Sequence, residues 1–382
     1  MYYTEIISNY HIFFFGFVTG LLIFLLARTL NLLFNEKNNK LIKWGIISCI
    51  LMYPFDILSS AGWIATIATY FWPFALTVVS LIPLIKSLKN QKTSMIQNIL
   101  CSLSLVYAAN NEQIAVILII IYTSFLIILK ITHRLNKLII LQYIFILISI
   151  IFILTTPGII ARSNAEVKNW FPSFIALNNI SKFQLGYTST LYTAVFHPNC
   201  LIIAIVSILF IINNNNNRSN LIRIICTIPL AIIIAFNPIF TNIIYISKSI
   251  TYPKLIYGLV TTYNYTDISI FLEYLVLSLF LITLVLSIYF SFNTIEDRIL
   301  SLTLLIGGVM SRIAMGFSPT IWISNLRTYS PLFGCIFLIL IMLIKKLFFN
   351  DYCGKQQKIN IITIFIIFGC FNTLSLFIQV IN

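Results

Sequence analysis

Charge is scarce in this chain. Asp and Glu number only ten among 382 residues, and charged residues of both signs make up 9%, well under half of the roughly 25% usual in soluble domains. Too little charge is present to clothe a soluble core of this size, or to keep a chain of this length disordered. The seven cysteines, at positions 49, 101, 200, 226, 335, 353 and 370, form no CxxC and no Cys/His ligand spacing, so they read as small apolar side chains and no metal site is expected. Walker, G-x-G-x-x-G, HExxH and nucleophile-elbow motifs are missing. ATP-driven transport, nicotinamide chemistry and zinc proteolysis thus lose their usual support, and no cofactor is expected. The N-terminus lacks a basic stretch before its first apolar run, so a cleavable signal is not expected.

What is abundant is apolar length. Hydrophobic residues make up 59% of the chain and its mean hydropathy is +0.98. A hydrocarbon layer about 30 Å thick needs roughly 20 apolar helical residues to cross it. The runs here are continuous, as in Ile139 to Leu154, without the alternation of a barrel strand. The expectation is a single all-α domain over residues 1–382, a polytopic integral membrane protein of about twelve transmembrane helices (range ten to twelve). The expected spans are 12–34, 42–55, 64–85, 95–109, 113–129, 138–155, 199–212, 221–236, 267–291, 299–315, 331–344 and 359–378. Small and polar residues between Ser59 and Phe74 make the third a candidate re-entrant or tilted helix.

Most of the 24 lysines and arginines fall in alternate short loops, such as Lys37–Lys43, Lys86–Lys92, Lys130–Lys137 and Lys345–Lys358. The positive-inside rule makes those loops cytoplasmic and puts both termini outside. The net charge of +14 then reports topology, and nucleic acid is not implied.

Three loops on the opposite side hold more chemistry than connectors need: 155–199, 237–267 and 312–330. They carry Arg162, Glu166, Lys168, Trp170 and His197, then Lys248 and Lys254 among tyrosines, then Arg312 and Arg327 around Gly316 and Pro319. Cations that oppose the topological bias point to an anionic ligand. Arg162, Arg312 and Arg327 have the planar fork that matches phosphate oxygens, so they are expected to clamp a diphosphate at the membrane surface. Asp56, Glu112 and His197 lie at the same boundary and are candidate catalytic bases. Trp63, Trp72 and Trp170, with nearby Asn and Gln, suit a sugar's C–H faces and hydroxyls, although Trp and Tyr also form the ordinary interfacial belt.

The segments Ser60-Ala-Gly-Trp-Ile-Ala-Thr66, Ala109-Asn-Asn-Glu-Gln113, Pro157-Gly with Arg162 and Trp170-Phe-Pro172, and Ser311-Arg through Gly316-Phe-Ser-Pro-Thr320 resemble polytopic proteins of bacterial surface-polysaccharide loci. Those are O-antigen or capsule polymerases of the Wzy type, or glycosyltransferases of the GT-C class. The resemblance implies a GT-C-like helical architecture with external caps. It also implies undecaprenyl-diphosphate-linked glycans as donor and acceptor, transfer at the outer face of the bacterial cytoplasmic membrane, and membrane lipids and a chain-length regulator as partners. A single-sugar transferase using a polyprenyl-phosphate donor, a glycan ligase and a polysaccharide transporter stay open beside polymerisation.

Overall fold

The computed structural model describes residues 2–35, 37–61, 63–214, 218–238, 268–349 and 354–381. Among them all regular structure is helical, and nine helices are long and apolar enough to cross a membrane. We label the helices α1 (Tyr2–Phe34), α2 (Lys40–Leu51), α3 (Trp63–Leu88), α4 (Met95–Ala109), α5 (Glu112–Ile131), α6 (Lys137–Thr155) and α7 (Pro157–Trp170). After these come α8 (Asn179–Phe196), α9 (Cys200–Asn213), α10 (Asn220–Phe236), α11 (Ile268–Ser291), α12 (Ile295–Ile313), α13 (Ser330–Phe349) and α14 (Lys355–Ile381). Each expected apolar run holds a helix; α4 and α10 are shorter than a full crossing, and α8 and α9 form a pair bent by 78°.

The starts of these helices are written in the sequence. Asn39, Asn111, Asn136, Asn178 and Asn199 each accept a backbone N–H of the helix that follows, and Ser94, Ser219 and Thr294 do the same. Unbonded N–H groups cost most where water is scarce, so a short polar side chain recurs at the boundary of apolar runs.

Helix α13 is the axis of the bundle. In its apolar window 83% of residues are buried, against 17% for α1 and α14, whose apolar faces point outward. It packs on α12, α9 and α2. Tyr53 shares a hydrogen bond with the Ser330 hydroxyl (2.7 Å) and stacks on Phe74 (centroids 5.7 Å apart), which ties the 3-10 turn Phe55–Ala61 to the start of α13.

One expectation changes. The segment from Ser59 to Phe74, a candidate re-entrant or tilted helix, begins in the 3-10 turn Phe55–Ala61 and continues into a 26-residue candidate span, α3, interrupted by a π turn at Ile67–Phe71. Within 155–199, only α7 and the turn Pro172–Ala176 lie outside the bundle. Helix α8 is buried from Leu185 to Val195 along one face, and its Thr188, Ser189 and Thr190 hydroxyls donate back to the carbonyls of Gln184 and Gly186. A polar run that bonds its own helix turns inward at little cost. The expected loop 237–267, with Lys248 and Lys254, lies outside the described residues from 239 onward.

Gly186 on α8 and Gly316 in the turn Ala314–Phe317 let these two segments meet backbone to backbone. A Cβ at Gly316 would stand 2.1 Å from the Lys182 carbonyl oxygen, and one at Gly186 would stand 2.3 Å from that of Ile313. Close approach of this kind replaces the hydrophobic drive that lipid does not supply. Gly316→Ala must open the contact and is expected to destabilise by about 1–3 kcal/mol, read as a lower thermal midpoint in detergent. Gly20→Ala, whose methyl meets nothing within 4 Å, is the control that leaves the midpoint in place. Equal midpoints for both variants would show that the contact yields freely.

Candidate functional site

Helix α12 ends at Ile313, so its last turn delivers Arg312 into the interior, where only 1% of the residue is exposed. One guanidinium nitrogen donates to the Tyr329 hydroxyl (3.0 Å), and the cation sits 4.1 Å above the centroid of the same ring. Tyr329 in turn donates to the Ser189 carbonyl on α8 (2.8 Å). The Nε and the other terminal nitrogen of Arg312 have no hydrogen-bond partner, and no carboxylate pairs with it, among the described residues. A buried guanidinium without a counter-charge is costly. It borders a cavity of about 350 Å³, lined also by His197, Tyr192, Trp322 and Asn325.

His197 sits at the break between α8 and α9, with its Nδ1 buried and without a partner among the described residues. Asn237 fixes the local backbone by donating to the His197 carbonyl (3.0 Å). Asp56 approaches from the Phe55–Ala61 turn, close enough for its charge to act on both His197 and Cys200. One Asp56 carboxylate oxygen is also buried without a partner among the described residues. Two candidate bases separated by 141 positions in sequence thus share one neighbourhood.

A second cavity, of about 540 Å³, opens beside the first. The π turn of α3 brings Thr69 and Tyr70 to it, the start of α5 brings Asn111, Glu112 and Gln113, and α7 brings Arg162, Ser163 and Glu166. π turns recur at functional sites because they re-aim side chains and release carbonyls. Here the Thr69 carbonyl accepts from Asn111 (2.8 Å). Arg162 pairs with Glu166 at 2.6 Å, and that hydrogen bond raises the guanidinium's pKa further. Arg327 lies close enough to Tyr70 for its charge to act on that side chain. Glu112 is exposed in the first turn of α5, where the helix dipole favours a carboxylate in any case.

The expected three-arginine clamp is therefore divided. Arg312 and His197 line one cavity, with Asp56 nearby, while Arg162, Glu166 and Glu112 line the other. Lys168 is exposed in the last turn of α7, and Trp170 is exposed. Trp72 donates to Thr19 (3.1 Å) and stacks on Phe15, and Trp63 packs on the core, so both serve contacts between segments. Tyr70, Trp322 and Tyr329 were not singled out from the sequence, because an aromatic belt hides such residues until their neighbours are known; Gln113 reads there only as an amide beside Glu112 suited to sugar hydroxyls. Among the described residues no three His, Cys, Asp or Glu side chains converge as metal ligands. The chain matches no protein-family model, no curated protein and no solved structure.

Replacing even a buried ion pair with apolar side chains of similar volume is often neutral or stabilising by about 1–4 kcal/mol, and a lone buried ion costs more to keep than a paired one. Arg312→Met is expected to raise the thermal midpoint of the ligand-free protein, whereas inorganic pyrophosphate is expected to raise it only when Arg312 is present. A lower midpoint for Arg312→Met would mean that the cation is satisfied structurally.

Proposed function

We propose that this chain is a glycosyltransferase of the bacterial cytoplasmic membrane that polymerises undecaprenyl-diphosphate-linked oligosaccharide repeats into O-antigen or capsular polysaccharide. In this reading it crosses the membrane twelve times, both termini and both cavities face outward, and a chain-length regulator is its partner. The observation that carries the proposal is Arg312, a buried cation whose described surroundings offer no counter-charge, at the wall of a cavity that also holds a histidine.

Arg312 compensates the negative charge that develops on the leaving diphosphate, and its low-dielectric setting makes that compensation strong. His197 accepts the proton of the acceptor hydroxyl, and Asp56 steadies the resulting imidazolium. The acceptor oxygen forms a new bond to the donor's anomeric carbon. The carbon–oxygen bond to the diphosphate breaks, and its electron pair leaves on the diphosphate oxygen. The products are a glycan longer by one donor chain and a free lipid diphosphate. Arg162, already paired with Glu166, lies outside this step.

The decisive measurement is the length distribution of surface glycan in cells lacking the gene and complemented with wild type, Arg312→Ala or His197→Ala. Polymerisation predicts a ladder with wild type and a single repeat unit with either variant. An intact ladder of altered sugar composition without the gene would favour a single-sugar transferase, and free lipid-linked polymer would favour a ligase.

A further inference from the structure

The two cavities differ in charge, and the difference separates their ligands. In the larger one Arg162 is neutralised by Glu166, while Glu112 adds a negative charge at the rim. An anion is disfavoured there. A lipid tail is equally ill-suited, because the walls carry the hydroxyls of Thr69, Ser318, Thr320 and Ser324 and the amides of Asn110 and Asn111. Hydroxyl and amide groups between the faces of Tyr70, Tyr107 and Phe317 match a ligand with polar edges and apolar C–H faces. That is the chemistry of a neutral carbohydrate.

Gln113 supplies an independent sign that a ligand belongs here. It is 95% buried (5% exposed) and lines this cavity, yet its Oε1 has no hydrogen-bond partner among the described residues. Buried side-chain oxygens are rarely left so, because an unmet acceptor costs about 1–3 kcal/mol. The amide nitrogen of the same side chain donates to the carbonyls of Ser311 (3.3 Å) and Thr328 (2.9 Å), which directly precede Arg312 and Tyr329. Gln113 therefore stands in the wall of the larger cavity with an unpartnered amide oxygen among the described residues, and its amide nitrogen is fastened to the frame of the buried arginine.

The partition between the cavities is thin. Thr320 and Ile321 are consecutive, yet the first lines the larger cavity and the second the smaller. A chain held in the larger cavity has only the rim of residues 318–326 to cross before it reaches Arg312.

The geometry points to the larger cavity as the acceptor subsite, a binding site for the uncharged end of a growing glycan, with Gln113 Oε1 accepting a hydrogen bond from a sugar hydroxyl. The assignment of that glycan as acceptor rests on the transferase reading above.

The test uses the full-length protein in nanodiscs and two probes read by saturation-transfer NMR. Farnesyl diphosphate reports the Arg312 cavity, and the phosphate-free repeat oligosaccharide, released by mild acid from the surface glycan of the source cells, reports the larger one. Ser163→Trp fills the larger cavity from the half-buried face of α7 and so avoids any folding defect that the buried Gln113→Leu introduces. The expected result is oligosaccharide binding weakened roughly tenfold or more by either variant, the worth of one buried hydrogen bond or of steric exclusion, with farnesyl diphosphate binding to Ser163→Trp unchanged. Arg312→Met is expected to give the reverse pattern. Oligosaccharide binding that survives Ser163→Trp, that is lost only in Arg312→Met, or that is absent from wild type would overturn the inference. Oligosaccharide lost as expected, with farnesyl diphosphate indifferent to Arg312→Met, would instead overturn the transferase reading and the acceptor role with it, leaving a carbohydrate site of another purpose.

Discussion

The interaction on which the rest of the site depends is the seat of Arg312 on Tyr329. A guanidinium inside an apolar bundle is held in place only if its neighbours are held first, and here they are. Tyr329 is fixed by its hydrogen bond to Ser189, the carbonyls before Arg312 and Tyr329 are both taken by Gln113, and the Gly186–Gly316 contact locks the end of α12 against α8. These constraints come from two helices, α5 and α8, so the cation cannot leave without disturbing both. The ring face offsets part of the desolvation cost, since a cation over an aromatic ring gains about 2 kcal/mol or more when water is excluded. In the proposed reading, the remainder of that cost is what an incoming diphosphate relieves.

The bundle is built with the same economy. Between helices in lipid the apolar effect is nearly absent, so close packing and hydrogen bonds carry association. The buried hydroxyls follow that rule locally. Ser287 and Ser291 donate to carbonyls one turn back on α11, and Asn213 on α9 reaches Ser287 and Ser291 across the interface. Polar groups are spent on fixing helix against helix, and few are left over. Those that remain unmet among the described residues include Arg312, Gln113, His197, Asp56 and Trp322, and these border or lie beside the two cavities. Asn98, Gln142, Asn213 and Glu273 also carry unmet polar atoms among the described residues and line neither cavity, and for these the structure offers no account.

Much of the scaffold was legible in the residues. Long apolar runs bounded by Asn, Ser and Thr caps locate the helices, because backbone satisfaction in lipid leaves no other regular solution for such runs. The expected external loop 155–199 holds helix α8, whose Thr188-Ser189-Thr190 run is polar in sequence but returns each hydroxyl to its own helix. The site was half legible. Arg312, Arg162, Asp56, Glu112 and His197 stand out by type and by rarity of charge, yet spacing alone could not say that Arg312 and Arg162 face different cavities. That division is set by which side of the 318–326 segment each residue reaches, a tertiary fact. Tyr329 carries no signal of its own and Gln113 reads only as one amide beside Glu112; they matter through the cation and the carbonyls they hold.

The division also answers a difficulty in the proposed chemistry. A polymerase handles two substrates that are nearly the same molecule, each a glycan on a lipid diphosphate, and it must keep their roles apart. Shape discriminates poorly between such substrates, since both present the same sugars. Charge discriminates well, because a diphosphate that enters a neutral, acid-rimmed cavity loses solvation without gaining a partner. With one cavity cationic and the other balanced, the diphosphate end of a substrate and the sugar end of a substrate each have one place to go. The roles then follow from which end of each molecule is presented, and the wall between the cavities need be no thicker than the single strand of chain that forms it.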